Sequence, residues 1–592
     1  MRHLEHNVDF CVVGGGLAGM CTAIAAARHG AKVALIHDRP VLGGNASSEI
    51  RMWICGAHGP NNRETGLVEE IQLENNYRNP SSNFSIWDSV LFQTAKFTPG
   101  LTVFLNASVN EAAVDGNRIT AVKAWQTTSE TWHTVNAKLF ADCSGDSILA
   151  PLTGADFRIG REAREEFGED IEPPVADRKT MGMSCLIQAR ETSSPKTFIP
   201  PPWARKFTSD DQLPHRGHGF TGLSNFWWLE LGGENDSIHD TEELRDQLLA
   251  LAFGIWDHIK NHGDHGADNW DLEWVGFLPG KRESRRYLGD HILTQNDVRA
   301  EGRFEDVVAY GGWSMDDHHP GGFNYPGVPT IFHPAPSPYG IPYRCLYSRN
   351  IDNLMFAGRN ISVTHAAMSS TRVMATCATI GQAAGTAAAI AIREHTSPRG
   401  VYQSHLAELK QTLMDDDCFL PFNRRQIPEL SATARLTASN GDPEPLRNGY
   451  DRPTPAGEKT WSDNSWTGTA GQAWVEYAFA KPSRVTMARI VFDSDLNRTG
   501  KGVGSIATHT EKNILSNFPL NQPPRVTPPT LVKAFRLEAR NQDGTWSCLH
   551  HQQNNYQRLV KIPLDVTTTA IRLVPEKTWG DNAAKLFSFD LR

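Results

Sequence analysis

The chain has 592 residues, 39% of them hydrophobic and 21% charged, an ordinary globular composition with length for several domains. A formal net charge of −9 argues against a nucleic-acid partner. The nine cysteines are an odd number, scattered without a Cys-x-x-Cys pair, which argues against a disulfide scaffold and against a zinc site.

Residues 9–13 read as a short buried strand. The turn 14–19 follows, then a helix of small residues (Ala23, Ala25, Ala26, Ala27) closed by Gly30, then a second strand over 32–37. In such a unit each glycine of Gly14-x-Gly16-x-x-Gly19 has its own reason. Gly14 makes the tight turn, Gly16 lets the backbone approach a pyrophosphate, and Gly19 lets the helix pack on the strand. The helix N-terminus then holds phosphates through its free N–H groups and the positive end of its dipole.

The same register expects an acidic residue at the end of the second strand, to take ribose hydroxyls. His37 stands there, with Asp38 and Arg39 beside it, so these three are candidates for the adenosine end. Leu42-Gly43-Gly44-Asn45 follows, two glycines that let the chain pass close to a ligand, and the run closes on Arg51. Further strands are read at 101–106, 118–125 and 138–142.

Residues 161–340 are rich in Trp, His and Pro. They hold strand-like pieces at 183–189 and 226–231 and one amphipathic helix at 241–261. Residues 353–359 return to strand, 373–393 form an Ala- and Gly-rich helix, and another helix lies near 402–414. From about 430, strands alternate apolar and polar residues (473–479, 485–492, 532–539, 569–575), with a Pro-rich loop at 521–529. That pattern expects a β-sandwich.

Three segments in this order resemble the FAD-dependent oxidoreductases whose FAD domain is of the glutathione-reductase type. They are the first βαβ unit with its second Gly pair, Ala141-Asp142-Cys143-Ser144-Gly145-Asp146, and Asn353-Leu354-Met355-Phe356-Ala357-Gly358-Arg359. The resemblance implies FAD as cofactor. It places Gly145 and Asp146 at the adenosine and pyrophosphate end, and Gly358 and Arg359 in a turn before a helix that ends under the flavin. The run 43–51, with Arg282-Glu283-Ser284-Arg285-Arg286 and Pro342-Tyr343-Arg344, resembles a bacterial branch often found beside sugar-degrading enzymes. The tail resembles galactose-binding-like, discoidin-type modules in the pieces 471–479, 488–493, 535–539 and 571–575.

No second Gly-x-Gly-x-x-Gly follows a later strand, so a separate NAD(P)H domain is not expected. For substrate chemistry, a flavin taking hydride from a carbinol carbon needs a base for the hydroxyl proton. His365, His318, His58 and His319 are the candidates. Each alone also fits a structural histidine. Trp313 and Trp228 are candidates to stack on sugar rings and Arg344 to bind an anion. Against these stand plain core packing for the tryptophans and salt-bridging for the arginine. The Asp317–His318 pair matches no standard metal spacing, and no metal site is expected.

The expected architecture is α/β: a Rossmann-like FAD-binding domain (1–160 and 341–425), an inserted α+β substrate domain (161–340), and an all-β sandwich of jelly-roll type (430–592). The expected function is an FAD-dependent oxidoreductase that oxidises a carbinol carbon of a carbohydrate or glycoside by hydride transfer to flavin N5, with an electron acceptor still to be identified. Two rivals stand beside it: a redox-neutral FAD-dependent glycosidase or lyase working through a transient keto-sugar, and a carbohydrate-binding protein with a structural flavin. No membrane partner is expected, a homo-oligomer is compatible, and the location is read as cytoplasmic, or periplasmic if a leader has been removed.

Overall fold

The computed structural model describes residues 1–218, 225–456, 460–498 and 517–592. The chain divides into two compact units. One comprises Met1–His58, Ser82–Leu409 and Lys512–Pro523; the other comprises Gly59–Ser81, Lys410–Glu511 and Pro524–Arg592.

The first unit is built on a five-stranded parallel sheet. Its strands are β1 (Phe10–Val13), β2 (Val33–Ile36), β3 (Leu101–Phe104), β4 (Leu139–Asp142) and β5 (Leu354–Phe356), in the order β5-β4-β1-β2-β3. Every residue of β1, β2 and β4 is buried, as continuous apolar runs in a doubly covered parallel sheet must be. Helix α1 (Leu17–Arg28) crosses from β1 to β2.

Residues 241–261 form the expected amphipathic helix, α2 (Thr241–Asn261). Its apolar face, with Leu248, Ile255 and Trp256, packs into a core that also takes Phe226 and Trp228. The strand expected at 226–231 shrinks to Glu230–Leu231, because Phe226 adopts φ 59° and turns the chain. Conversely, Arg2–Asn7, not read as a strand, pairs in parallel with Thr131–Asn136 at the edge of a separate four-stranded sheet.

After β5 come α3 (His365–Thr371) and α4 (Met374–Arg393). By length and mean hydropathy (1.3) α4 could cross a bilayer, yet 94% of that stretch is buried within the protein. Its small residues have a packing reason. A Cβ on Gly381 would fall 2.2 Å from the Ala18 carbonyl oxygen, and one on Gly385 2.1 Å from that of Thr22. Only glycine lets α4 lie this close to α1.

The second unit is all-β apart from short helices. Two long strands, Val475–Phe492 and Leu559–Thr578, pair antiparallel with register breaks between Ala478 and Ser483 and between Val485 and Met487. At those breaks the sheet can bend over its own core of Val475, Tyr477, Leu573 and Phe589. Gly59–Ser81, expected to continue the nucleotide-binding part, belongs to this unit instead. Its helix Leu67–Arg78 contributes Leu73 to that core, and its buried Glu69 is held by Arg63 and Arg498.

Candidate functional site

The loop after β1 is shaped by contacts that admit no side chain. Gly14 has φ 105°, and a Cβ there would lie 2.4 Å from the Cys143 carbonyl oxygen. A Cβ on Gly19 would fall 1.8 Å from the carbonyl of Gly14. Gly16, the N-cap of α1, is different: its nearest neighbour at the Cβ position is the Gly44 Cα at 3.9 Å. Its bare face is therefore not required by the protein's own packing, which leaves approach of a ligand as the reason for glycine.

Gly43 and Gly44, at φ 106° and 59°, run alongside this turn. Gly16 and Gly43 form a parallel bridge, and the Gly43 N–H donates to the Gly15 carbonyl at 2.8 Å. Two strips of side-chain-free backbone thus lie side by side at the positive end of α1. Asn45 anchors this strip by donating to the Lys281 carbonyl at 3.2 Å. Arg51 sits between Phe84 and Trp274 at 4.1 and 4.5 Å and donates to Gln188 at 2.8 Å. Arg51 therefore fixes the loop through these three side chains.

His37, at the end of β2, is buried. Its Nδ1 accepts the Gly15 N–H at 3.0 Å and its Nε2 donates to the Val41 carbonyl at 3.0 Å. Burial, with Arg39 nearby, outweighs Asp38 and lowers its pKa to about 4, so it is neutral. His37 shapes the glycine turn, and both its nitrogens are engaged within the protein. Beside it, Asp38 is exposed. Arg39 Nη1 and Glu49 Oε2 are 4.0 Å apart, each buried with no hydrogen-bond partner in the structure. A donor and an acceptor so placed suit a ribose diol, and Glu49 was not singled out in the sequence because it lies 12 residues past His37.

Asp142 ends β4 and caps the next turn, accepting from the backbone of Ser144 and Leu149 at 2.9 and 2.8 Å and from the Tyr287 hydroxyl at 2.7 Å. Gly145, at φ 79°, lies under the Arg359 guanidinium, which a Cβ would meet at 2.8 Å. Asp146 binds Arg359 at 2.8 Å, Lys281 at 3.0 Å and Ser284 at 2.8 Å. Burial would raise its pKa, but Arg359 and Lys281 outweigh it and hold it at about 2. Next to Gly358 (φ 117°), Arg359 Nε and Asn360 Oδ1 are buried and unpartnered. The backbone cradle and these unfilled polar atoms fit a dinucleotide such as FAD.

The four candidate histidines separate. His365 opens α3 and is sealed from solvent, with Nδ1 2.8 Å from Glu283 and Nε2 3.2 Å from Asp317. Burial would lower its pKa, but the two carboxylates raise it well above the ordinary value. Both nitrogens carry protons and both are committed, so His365 is a buried cation and does not fill the expected role of proton acceptor. His318 is likewise held, by Glu230 at 2.5 Å and Asp316 at 3.3 Å. The strand Met315–His318 explains the pairing. Its alternation sends Asp317 toward His365 while Asp316 and His318 face Glu230 and Arg372. His319 stacks on Tyr325 with centroids 3.5 Å apart, and its Nδ1 accepts the Gly321 N–H.

His58 is placed differently. Its ring lies against Trp313, centroids 4.3 Å apart, and its backbone N–H donates to the Gly312 carbonyl at 3.0 Å. Three residues earlier, the Cys55 carbonyl accepts the Ala375 N–H at 2.9 Å, in the first turn of α4. Ser370, at the end of α3, donates to the Trp313 carbonyl at 2.5 Å. The structure thus gathers His58, Trp313 and the start of α4.

Two residues expected at the substrate are engaged within the protein. Arg344 makes a fork to the buried Asp306 at 2.9 and 3.0 Å, a structural ion pair. Trp228 is 4% exposed within the α2 core and donates to the Gly217 carbonyl. Both follow from partners distant in sequence that composition does not reveal.

A family model described as FAD dependent oxidoreductase matches residues 9–413. No curated protein matches the chain. Among solved structures, it is similar to a geranylgeranyl bacteriochlorophyll reductase-like protein from Thermoplasma acidophilum, at 13% identity over 70% of this chain and 85% of that one, with TM-score 0.31. It is similar to E. coli quinol fumarate reductase FrdA at 14% identity over 70% and 75%, with TM-score 0.28. Another similarity is to the family 32 carbohydrate-binding module of Streptococcus pneumoniae EndoD, at 13% identity over 28% of this chain and 97% of that one, with TM-score 0.20.

Proposed function

This chain belongs to the FAD dependent oxidoreductase family, and from that premise we propose that it oxidises a carbinol carbon of a carbohydrate or glycoside. The observation that carries the reading is the tilted His58–Trp313 ring contact at 4.3 Å, three residues from the Cys55 carbonyl that binds the first turn of α4. When bound, FAD supplies a two-electron acceptor, flavin N5, for the hydride of the carbinol C–H. The chain supplies the rest.

The backbone strips at Gly14–Gly16 and Gly43–Gly44 would hold the pyrophosphate at the positive end of α1. Arg39 and Glu49 would hold the adenosine ribose, and Arg359 Nε and Asn360 Oδ1 would hydrogen-bond the cofactor. The Trp313 indole offers an apolar face to sugar C–H groups. His58 takes the hydroxyl proton, and His365 is committed to Glu283 and Asp317. The sum is one carbonyl product, one hydride delivered and one proton on His58.

The test is the visible spectrum of the purified protein without oxygen, before and after a panel of sugars and glycosides. Bleaching of the flavin band by one of them supports the reading. A flavin that none of them bleaches sinks it, and aglycone release without consumption of any acceptor would then assign the redox-neutral bond cleavage instead.

A further inference from the structure

Away from the nucleotide cradle, the inserted region gathers a second set of chemical groups. Asp210 sits in a 3-10 turn, Asp210–Gln212, fixed by a capping box from Ser209. His258 lies in the last turns of α2 and is fully buried. His218 and His265 come from the segments that follow these two elements. One atom from each of the four lies within 4.8 Å of the others.

The hydrogen bonds around them leave a conflict. His258 Nδ1 is 3.0 Å from the Phe207 carbonyl, and His218 Nδ1 is 2.6 Å from the Arg216 carbonyl. A carbonyl only accepts, so both Nδ1 atoms carry the proton. In the neutral ring the Nε2 is then a bare lone pair. Yet Nε2 of His258 points at Asp210 Oδ1 at 3.1 Å, and Nε2 of His218 at the same oxygen at 3.5 Å. His265 Nε2 is 3.7 Å from it. Lone pairs facing a carboxylate repel. The three ring centroids lie only 4.8–5.0 Å apart, so one centre can face all three rings and the carboxylate. One divalent cation among them satisfies every group at once.

We propose that Asp210, His218, His258 and His265 bind a zinc-type divalent ion. Three imidazoles and one carboxylate are a zinc donor set, and ligand atoms about 2.0–2.1 Å from a tetrahedral ion lie roughly 3.3–3.4 Å apart, close to the distances to Asp210 seen here. The Nδ1–H to carbonyl bonds of His258 and His218 are the outer contacts that orient such ligands. His265 exchanges its contact with the His262 carbonyl, 3.3 Å from Nε2, for the ion. Asp210 is largely exposed, so the ion enters from solvent. It staples the segment around residues 207–218 to the C-terminal end of α2.

The experiment uses the full chain with FAD bound, stripped by a chelator, reloaded with Zn²⁺ and desalted. Elemental analysis is expected to find one zinc per chain, and Co²⁺ loaded in its place is expected to give the visible d–d absorption of a low-coordinate site. The double variant Asp210→Ala/His218→Ala is expected to keep its flavin spectrum. It should weaken zinc retention by more than the roughly 10–100-fold that loss of an outer partner costs. Equal zinc in wild type and variant overturns the proposal. Should the variant fail to fold, the wild-type cobalt spectrum decides alone: no d–d bands overturns it.

Discussion

Nδ1 of His365 lies 2.8 Å from Oε2 of Glu283, and neither side chain reaches solvent. With Asp317 on the other nitrogen, the histidine is a fixed cation. Because its folded pKa is raised, the stability it contributes is fully present below the ordinary histidine value and is lost as pH rises through the raised one. Thermal stability should therefore be full below about pH 6.5 and decline steadily from neutrality into the alkaline range. His365→Gln should cost about 3–5 kcal/mol by leaving buried carboxylates unpaired. A variant that keeps its melting temperature but cannot be reduced by substrate would make His365 the base after all.

The glycine turn allows a cleaner separation. Gly19→Ala places a Cβ 1.8 Å from a backbone oxygen and should destabilise the fold itself, whereas Gly16→Ala meets nothing nearer than 3.9 Å. Gly16→Ala is expected to fold normally by circular dichroism and yet retain little flavin after desalting. Equal flavin content in Gly16→Ala and wild type would remove the reason given for that glycine.

His37 has its pKa depressed to about 4, so the unfolded chain binds a proton more readily than the folded one between there and 6.5. Stability is present above 6.5 and declines as pH falls toward 4, by an amount on the order of 3 kcal/mol at most. Flavin release on acidification, followed by fluorescence, should track this window. His37→Gln should flatten that part of the profile.

His58→Ala should slow anaerobic flavin reduction by roughly 10²–10⁴-fold while leaving bound flavin unchanged. Trp313→Ala should act mainly on substrate affinity. Stopped-flow reduction against sugar concentration separates the two. Unchanged rates in both variants would move the chemistry elsewhere.

Arg344→Ala should lower stability by about 3 kcal/mol, since Asp306 is buried and would lose its fork. Denaturant unfolding reads this directly. A raised substrate KM with no loss of stability would restore the residue to substrate binding.

The glycine cradle was legible in the sequence because its requirements are local: a tight turn, a close approach and a helix start, all within six residues of Gly14. The all-β tail was legible from periodicity, but not the inclusion of Gly59–Ser81 in its unit, which depends on Leu73 reaching a core formed far downstream. The histidines were not legible as individuals. His318 takes its character from Glu230, 88 residues away, and His365 from Glu283, 82 away. Tryptophan stacking on sugar and tryptophan in a core have the same composition, and Trp228 proved to be the second. The density of His258, His262 and His265 was a usable signal, but its carboxylate, Asp210, and its third ring, His218, lie too far back for a spacing rule to find.

The seam between α1 and α4 has a mechanical meaning. With Gly381 and Gly385 lying against the Ala18 and Thr22 carbonyls, there is no clearance for either helix to roll or slide on the other. The two helices therefore form a single rigid beam, and the glycine turn at the start of α1 is carried on it.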